Sequence, residues 1–239
     1  MTILDIMGDF TTRVGFNNLF AIGGIIFVLG TLLFIIELAG YTITLKGIIK
    51  QRLKWDSLDV ATTSMCAALL GGALAATGGL TVIPGFTWFR PANALIPLFG
   101  ILFGIPGCLG AAIGNLIGDA FGGYLSAGSL GGFIGCFFGA YIPYKMIKDH
   151  SLRSKRGWIE YYMWAVIISS GAISFYISSW ADFINLMPEN VIWTFLFNFI
   201  FLNGAIPTAI IGPFLVLFLY PKVTGWGMYW KDRITFESK

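Results

Sequence analysis

Residues 92–124 read ANALIPLFGILFGIPGCLGAAIGNLIGDAFGGY. Apolar side chains dominate both halves, and Gly104-Ile105-Pro106-Gly107 divides them. That grouping breaks a helix, because proline removes a backbone donor and glycine relaxes the chain. The stretch is therefore read as two tightly joined helices, 92–104 and 106–124, in preference to one bent span with a re-entrant piece. In the second half Gly110, Gly114, Gly118 and Gly122 recur every fourth residue, and residues four apart share one helix face. The same spacing recurs downstream in Gly131, Gly135 and Gly139 and upstream in Ser64, Ala68, Gly72 and Ala76. Each ladder makes a shallow groove that a second helix backbone can enter, as membrane helices do. Packing within the chain accounts for any one ladder; three together predict that at least one faces a partner subunit.

Composition points to the same solvent. Of 239 residues 56% are hydrophobic and only 11% charged, against roughly 25% charged in a soluble domain. So few charges cannot clothe a soluble core of this size, so the lipid bilayer must surround most of the chain. A net charge of +3 is too small to suggest nucleic acid. Spans long enough to cross, directly or tilted, are read at 18–45, 58–81, 106–124, 129–147, 158–181 and 191–221, with 92–104 as a short seventh.

The basic residues set an orientation. Of 15 Lys and Arg, all but Arg13 and Arg90 fall in three segments: 46–54, 145–156 and 222–239. Seven spans place those segments on one side, which the positive-inside rule makes cytoplasmic. The N-terminus is then outside and the C-terminus inside. Asp5 and Asp9 spoil a basic leader, so the first span is expected to be retained rather than cleaved. The expected organisation is an extracellular N-terminus, one additional helix and a cytoplasmic connection over 1–57, a six-helix membrane module over 58–221, and a cytoplasmic tail over 222–239.

Within 60–144 only Arg90 and Asp119 carry charge. An unpaired charge in the bilayer costs at least ~2.5 kcal/mol, so each must be paired, hydrated or functional. Arg90 either pairs with Asp119 or faces an anionic or carbonyl-bearing ligand. Glu37 is expected to snorkel or to pack on a polar neighbour. Aromatic side chains crowd the outer ends of the spans: Phe86, Trp88, Phe89, Tyr124, Phe175, Tyr176, Trp180, Trp193 and Phe197. An interfacial belt explains part of this. The remainder would suit the walls of an outward cup for a flat ring compound, oriented by amides such as Asn93, Asn185, Asn198 and Asn203.

Several chemistries are excluded. The single histidine, His150, lies in the polar loop 148–157 and is expected to be solvated. No Ser–His or Cys–His nucleophile pair, metal helix or phosphate loop can then be assembled. Cys66, Cys108 and Cys136 stand singly in apolar runs and read as buried small residues. The chain is expected not to be an enzyme, to bind no metal and to hold no permanent cofactor.

At 89–119 the sequence Phe89-Arg90-Pro91-Ala92-Asn93-Ala94, then Phe103-Gly104-Ile105-Pro106-Gly107, then Gly114-Asn115-Leu116-Ile117-Gly118-Asp119 resembles the substrate-binding S components of energy-coupling factor transporters, a branch of the ABC superfamily. The resemblance extends over the module 58–221. It implies an S component in the bacterial plasma membrane that captures a vitamin from outside. Such a subunit docks on a transmembrane scaffold subunit driven by two cytoplasmic ATPases, which consume the ATP. The family docks through an Ala-xxx-Ala-like motif on the module's first helix, matched here by Ser64, Ala68 and Gly72, with Ala67, Gly71 and Ala75 on the adjacent face. Its pocket is built at the outer ends, which implies Trp88, Arg90, Asn93, Tyr124, Tyr176, Trp180, Trp193, Phe197 and Asn198 as substrate contacts. Thr2 stands where nickel and cobalt members carry histidine, which argues against a bare metal. Cobalamin or a related corrinoid is the favoured substrate, and a queuosine precursor or pyrimidine-type vitamin the alternative. A stand-alone channel or carrier, with Asn115 and Asp119 at the midplane, and a non-transporting scaffold remain as readings from other classes.

Overall fold

The computed structural model describes residues 3–44, 47–52, 55–77, 81–83, 87–88, 90–123, 125–233 and 235–236. Phe86, Phe89 and Tyr124 lie outside the described residues, and only the backbone of Trp88 is described. The fold is all-α apart from short hairpins. Its helices are α1 (Ile3–Val14), α2 (Phe16–Leu38), α3 (Ser57–Ala76), α4 (Leu95–Phe103), α5 (Ile105–Gly122), α6 (Gly128–Met146), α7 (Lys155–Phe183) and α8 (189–225). Four of the described helical stretches, Phe16–Leu38, Ser57–Ala76, Lys155–Phe183 and the one beginning at Glu189, are long and apolar enough to cross a membrane.

The first span is shorter at its C-terminal end than the hydropathy implied. After α2 the chain turns at Gly40, whose φ is 81°, and runs into an antiparallel hairpin of β1 (Tyr41–Thr44) and β2 (Gly47–Arg52). β-Branched residues fill three of the four positions of β1 and two of the six of β2, and these fit a pleated ribbon better than a continuing helix. Upstream, α1 is a separate helix divided from α2 by Gly15 at φ 87°.

The break at Gly104 is real. Its φ of 62° lies where a side chain would be strained, and Pro106 sits in the first turn of α5. α3 begins at a capping box: the Asp56 side chain accepts from the Asp59 N–H at 2.9 Å.

The glycine ladders of α5 and α6 are spent inside the chain. α5 packs against α3: a Cβ at Gly114 would stand 2.8 Å from Leu70 Cβ and 3.0 Å from the Ala67 carbonyl, and one at Gly118 would stand 2.8 Å from Leu74 Cβ. α6 packs against α7, with Gly131 on Trp180 and Gly135 and Gly139 on Ile177 and Ile173. Ala67 and Gly71 of α3 are buried in the α3–α5 seam. This removes those two from the face expected to dock. Ser64, Ala68, Gly72 and Ala75 stay exposed, and nothing lies within 4 Å of a Cβ built on Gly72.

At the basic-rich end the chain folds back on itself. The Trp230 indole donates to the Ile101 carbonyl at 3.0 Å, satisfying one of the last carbonyls of α4. Arg233 pairs with Asp59 at 2.6 Å and Asp56 at 2.9 Å. His150 is buried beneath this tail at 2% exposure, its Nδ1 2.6 Å from the Tyr229 hydroxyl. The expectation of a solvated histidine is corrected on this point, since the tail, remote in sequence, covers it.

Candidate functional site

The helices line a cavity of about 430 Å³ at the end opposite the tail, where the chain turns between α3 and α4, α5 and α6, and α7 and α8. Three features position its polar wall. The short 3₁₀ turn Pro91–Ala94 brings Arg90 and Asn93 inward. The C-terminal half of α5 presents Asn115 and Asp119, four residues apart and therefore on one face. From α7 and α8 come Ser169, Ser170, Asn203 and Thr208.

Arg90, Asn93, Asn115, Asp119 and Asn203 form a connected network. Arg90 Nη2 lies 3.3 Å from Asp119 Oδ1, and Asn115 Nδ2 donates to Asp119 Oδ2, also at 3.3 Å. The Arg90 backbone N–H donates to Asn203 Oδ1 at 2.8 Å, while Asn93 Nδ2 donates to the Asn203 carbonyl at 3.1 Å. Asp119 and Asn115 are buried at 8% and 6% exposure. The ion pair posed for Arg90 is therefore formed, and the same residue lines the cavity. The apolar remainder of the wall includes Ile96, Ile173, Ile177 and Phe199.

Of the residues expected to contact substrate, Arg90 and Asn93 line this cavity. Tyr176, Trp180, Trp193, Phe197 and Asn198 do not, which corrects their placement. Tyr176 is buried against α2, its hydroxyl 2.7 Å from that of Thr31. It stacks on Phe27, as does Trp180. The Trp180 indole donates to the Ala127 carbonyl at 2.8 Å, and that of Trp193 to Asp182 at 2.8 Å. Phe197 packs on Phe175, and Asn198 Nδ2 returns to the Thr194 carbonyl. The aromatics are the seam that seats the N-terminal helices, because α2 needs large flat partners to pack against α7. Sequence reasoning missed the serines of α7 as wall residues, although a Ser169-Ser170 pair inside an apolar span was a visible signal.

The fold, with a cavity lined by polar and apolar side chains together, defines an all-α integral membrane protein. Residues 60–221 match the family model described as QueT transporter, and the chain belongs to that family. Its members are S components of energy-coupling factor transporters, with a queuosine precursor as substrate. The match gives no support to cobalamin specificity and favours the queuosine-precursor alternative. No match was found among curated proteins or among solved structures.

Proposed function

We propose that the chain captures a queuosine precursor in the cavity between α4, α5, α7 and α8, and that it delivers the base inward after docking on a scaffold subunit powered by two ATPases. The observation that carries this reading is the size and character of the cavity. At about 430 Å³ it falls in the lower part of the ~300–1,000 Å³ range of small-molecule sites. That suits a bicyclic base bearing one short substituent. A corrinoid, with its macrocycle, amide arms and nucleotide loop, has several times as many atoms. The wall supplies donors and acceptors from Arg90, Asn93, Asn115, Asp119 and Asn203, the kind of set that reads the edges of a heterocycle.

For docking, the exposed face of Ser64, Ala68, Gly72 and Ala75 on α3 suits the close approach of a partner helix. The scarcity of Lys and Arg at the cavity end supports an outward-facing site, with the tail in the cytoplasm. The test is uptake of radiolabelled 7-aminomethyl-7-deazaguanine by cells unable to make it. Uptake is expected only when this chain, the scaffold and both ATPases are present together. Uptake by this chain alone would favour a stand-alone carrier.

A further inference from the structure

The Asp119 carboxylate lies against the cavity with its hydrogen-bonding capacity half used. An ionised carboxylate offers about four lone-pair sites on its two oxygens. Arg90 takes one on Oδ1 and Asn115 one on Oδ2, both at 3.3 Å, beyond the ~2.7–2.9 Å of a strong charge-assisted bond. Asp119 is 8% exposed and lines the cavity, so a ligand held there can reach the remaining sites. Among the described lining residues it is the only carboxylate.

We propose that Asp119 is the specificity-determining residue of the site, accepting two parallel N–H bonds from an amidine-like ligand edge. Arg90 and Asn115 are then positioning residues that hold the carboxylate plane towards the cavity. This rests on the proposed substrate and sharpens it. The 2-amino-4-oxopyrimidine ring of a 7-deazaguanine presents a ring N–H and an exocyclic NH₂ side by side, one donor for each free carboxylate site. An adenine-type edge would place a ring-nitrogen acceptor against Asp119, and a ring lacking the 2-amino group would leave one site unmet. Carboxylate recognition of this kind discriminates between bases by roughly 10- to 100-fold per bidentate pair.

The test is calorimetric titration of the purified full-length protein in lipid nanodiscs. The probes are 7-aminomethyl-7-deazaguanine and its 7-deazahypoxanthine counterpart, which lacks only the 2-amino group. The wild type is expected to prefer the first by about 10- to 100-fold, a comparison that needs no variant. Asp119→Asn is expected to erase most of that preference, and Asp119→Glu to restore part of it. Equal binding of the two bases by the wild type, or an unchanged preference in a folded Asp119→Asn protein, would overturn the role of Asp119 while leaving the proposed substrate standing. Binding of neither base by the wild type would overturn both.

Discussion

Glu37 on α2 and Lys145 on α6 form an ion pair, Nζ to Oε1 3.2 Å, in which the Glu37 side chain is 1% exposed. The same oxygen accepts from the hydroxyls of Tyr141 and Thr42, each at 2.5 Å, and Lys145 also donates to Thr42 at 2.5 Å. The cluster ties the N-terminal span and its hairpin to the module. Breaking one partner of a buried pair leaves the other uncompensated. Glu37→Gln or Lys145→Met is each expected to lower stability by about 3–5 kcal/mol. The double variant should cost less than the sum, and thermal unfolding in one detergent over the full mutant cycle would show it.

The two faces of α3 should respond differently to bulk. Ala68→Trp and Gly72→Trp enlarge an exposed face and should leave base binding within about twofold while abolishing uptake with the scaffold present. Gly114→Leu drives a side chain into Leu70 and the Ala67 carbonyl and should instead reduce folded yield, since overpacking costs about 1–3 kcal/mol or more. Normal uptake by the Ala68 and Gly72 variants would remove that face from docking.

The tail should make stability depend on pH. Burial under Tyr229 and Trp230 lowers the His150 imidazole from 6.5 to about 4, with Lys231 adding to the shift. In the unfolded chain the ring gains its proton as pH falls through about 6.5, whereas in the folded chain it does so only near 4. The unfolded state therefore binds more protons between these values, so stability is full above about pH 6.5 and declines as pH falls towards 4. The loss should reach about 3 kcal/mol. His150→Gln should flatten the slope between pH 6.5 and 4.5 in unfolding curves. Asp149, held low by Ser151 and Ser154, adds its own loss once pH falls through the ordinary carboxylate value and below it.

Aromatic residues at the α2–α7 seam should matter for folding rather than affinity. Trp180→Phe removes the bond to the Ala127 carbonyl, and Tyr176→Phe the one to Thr31. Each should cost about 1 kcal/mol of stability and leave base affinity within about twofold. Asn203→Ala, which strips an acceptor from the Arg90 N–H, should weaken binding by roughly tenfold. A titration in which Trp180→Phe proved the more damaging variant would return the aromatics to the site.

Much of the architecture is written locally. The Gly104-Ile105-Pro106-Gly107 break, the apolar lengths and the four-residue ladders act through nearest neighbours along a helix, so their consequences follow without knowledge of the fold. Arg90 and Asp119 could be singled out for the same reason, since a charge in an apolar run costs free energy wherever the run packs. The aromatic residues could not be assigned this way: an indole that seats α2 and one that lines a ligand site look alike in sequence.

The sequence by itself determined that this is a multi-helix membrane protein, where its helices break, and which two charges within 60–144 required partners. Only the tertiary structure decided which ladder stays open, that α2 takes up the aromatic surface, that the tail buries His150, and that Asp119 meets Arg90 beside a cavity. Each of these depends on which helices become neighbours, and that is settled by the summed burial and close packing of surfaces far apart in the chain, not by any one segment's pattern.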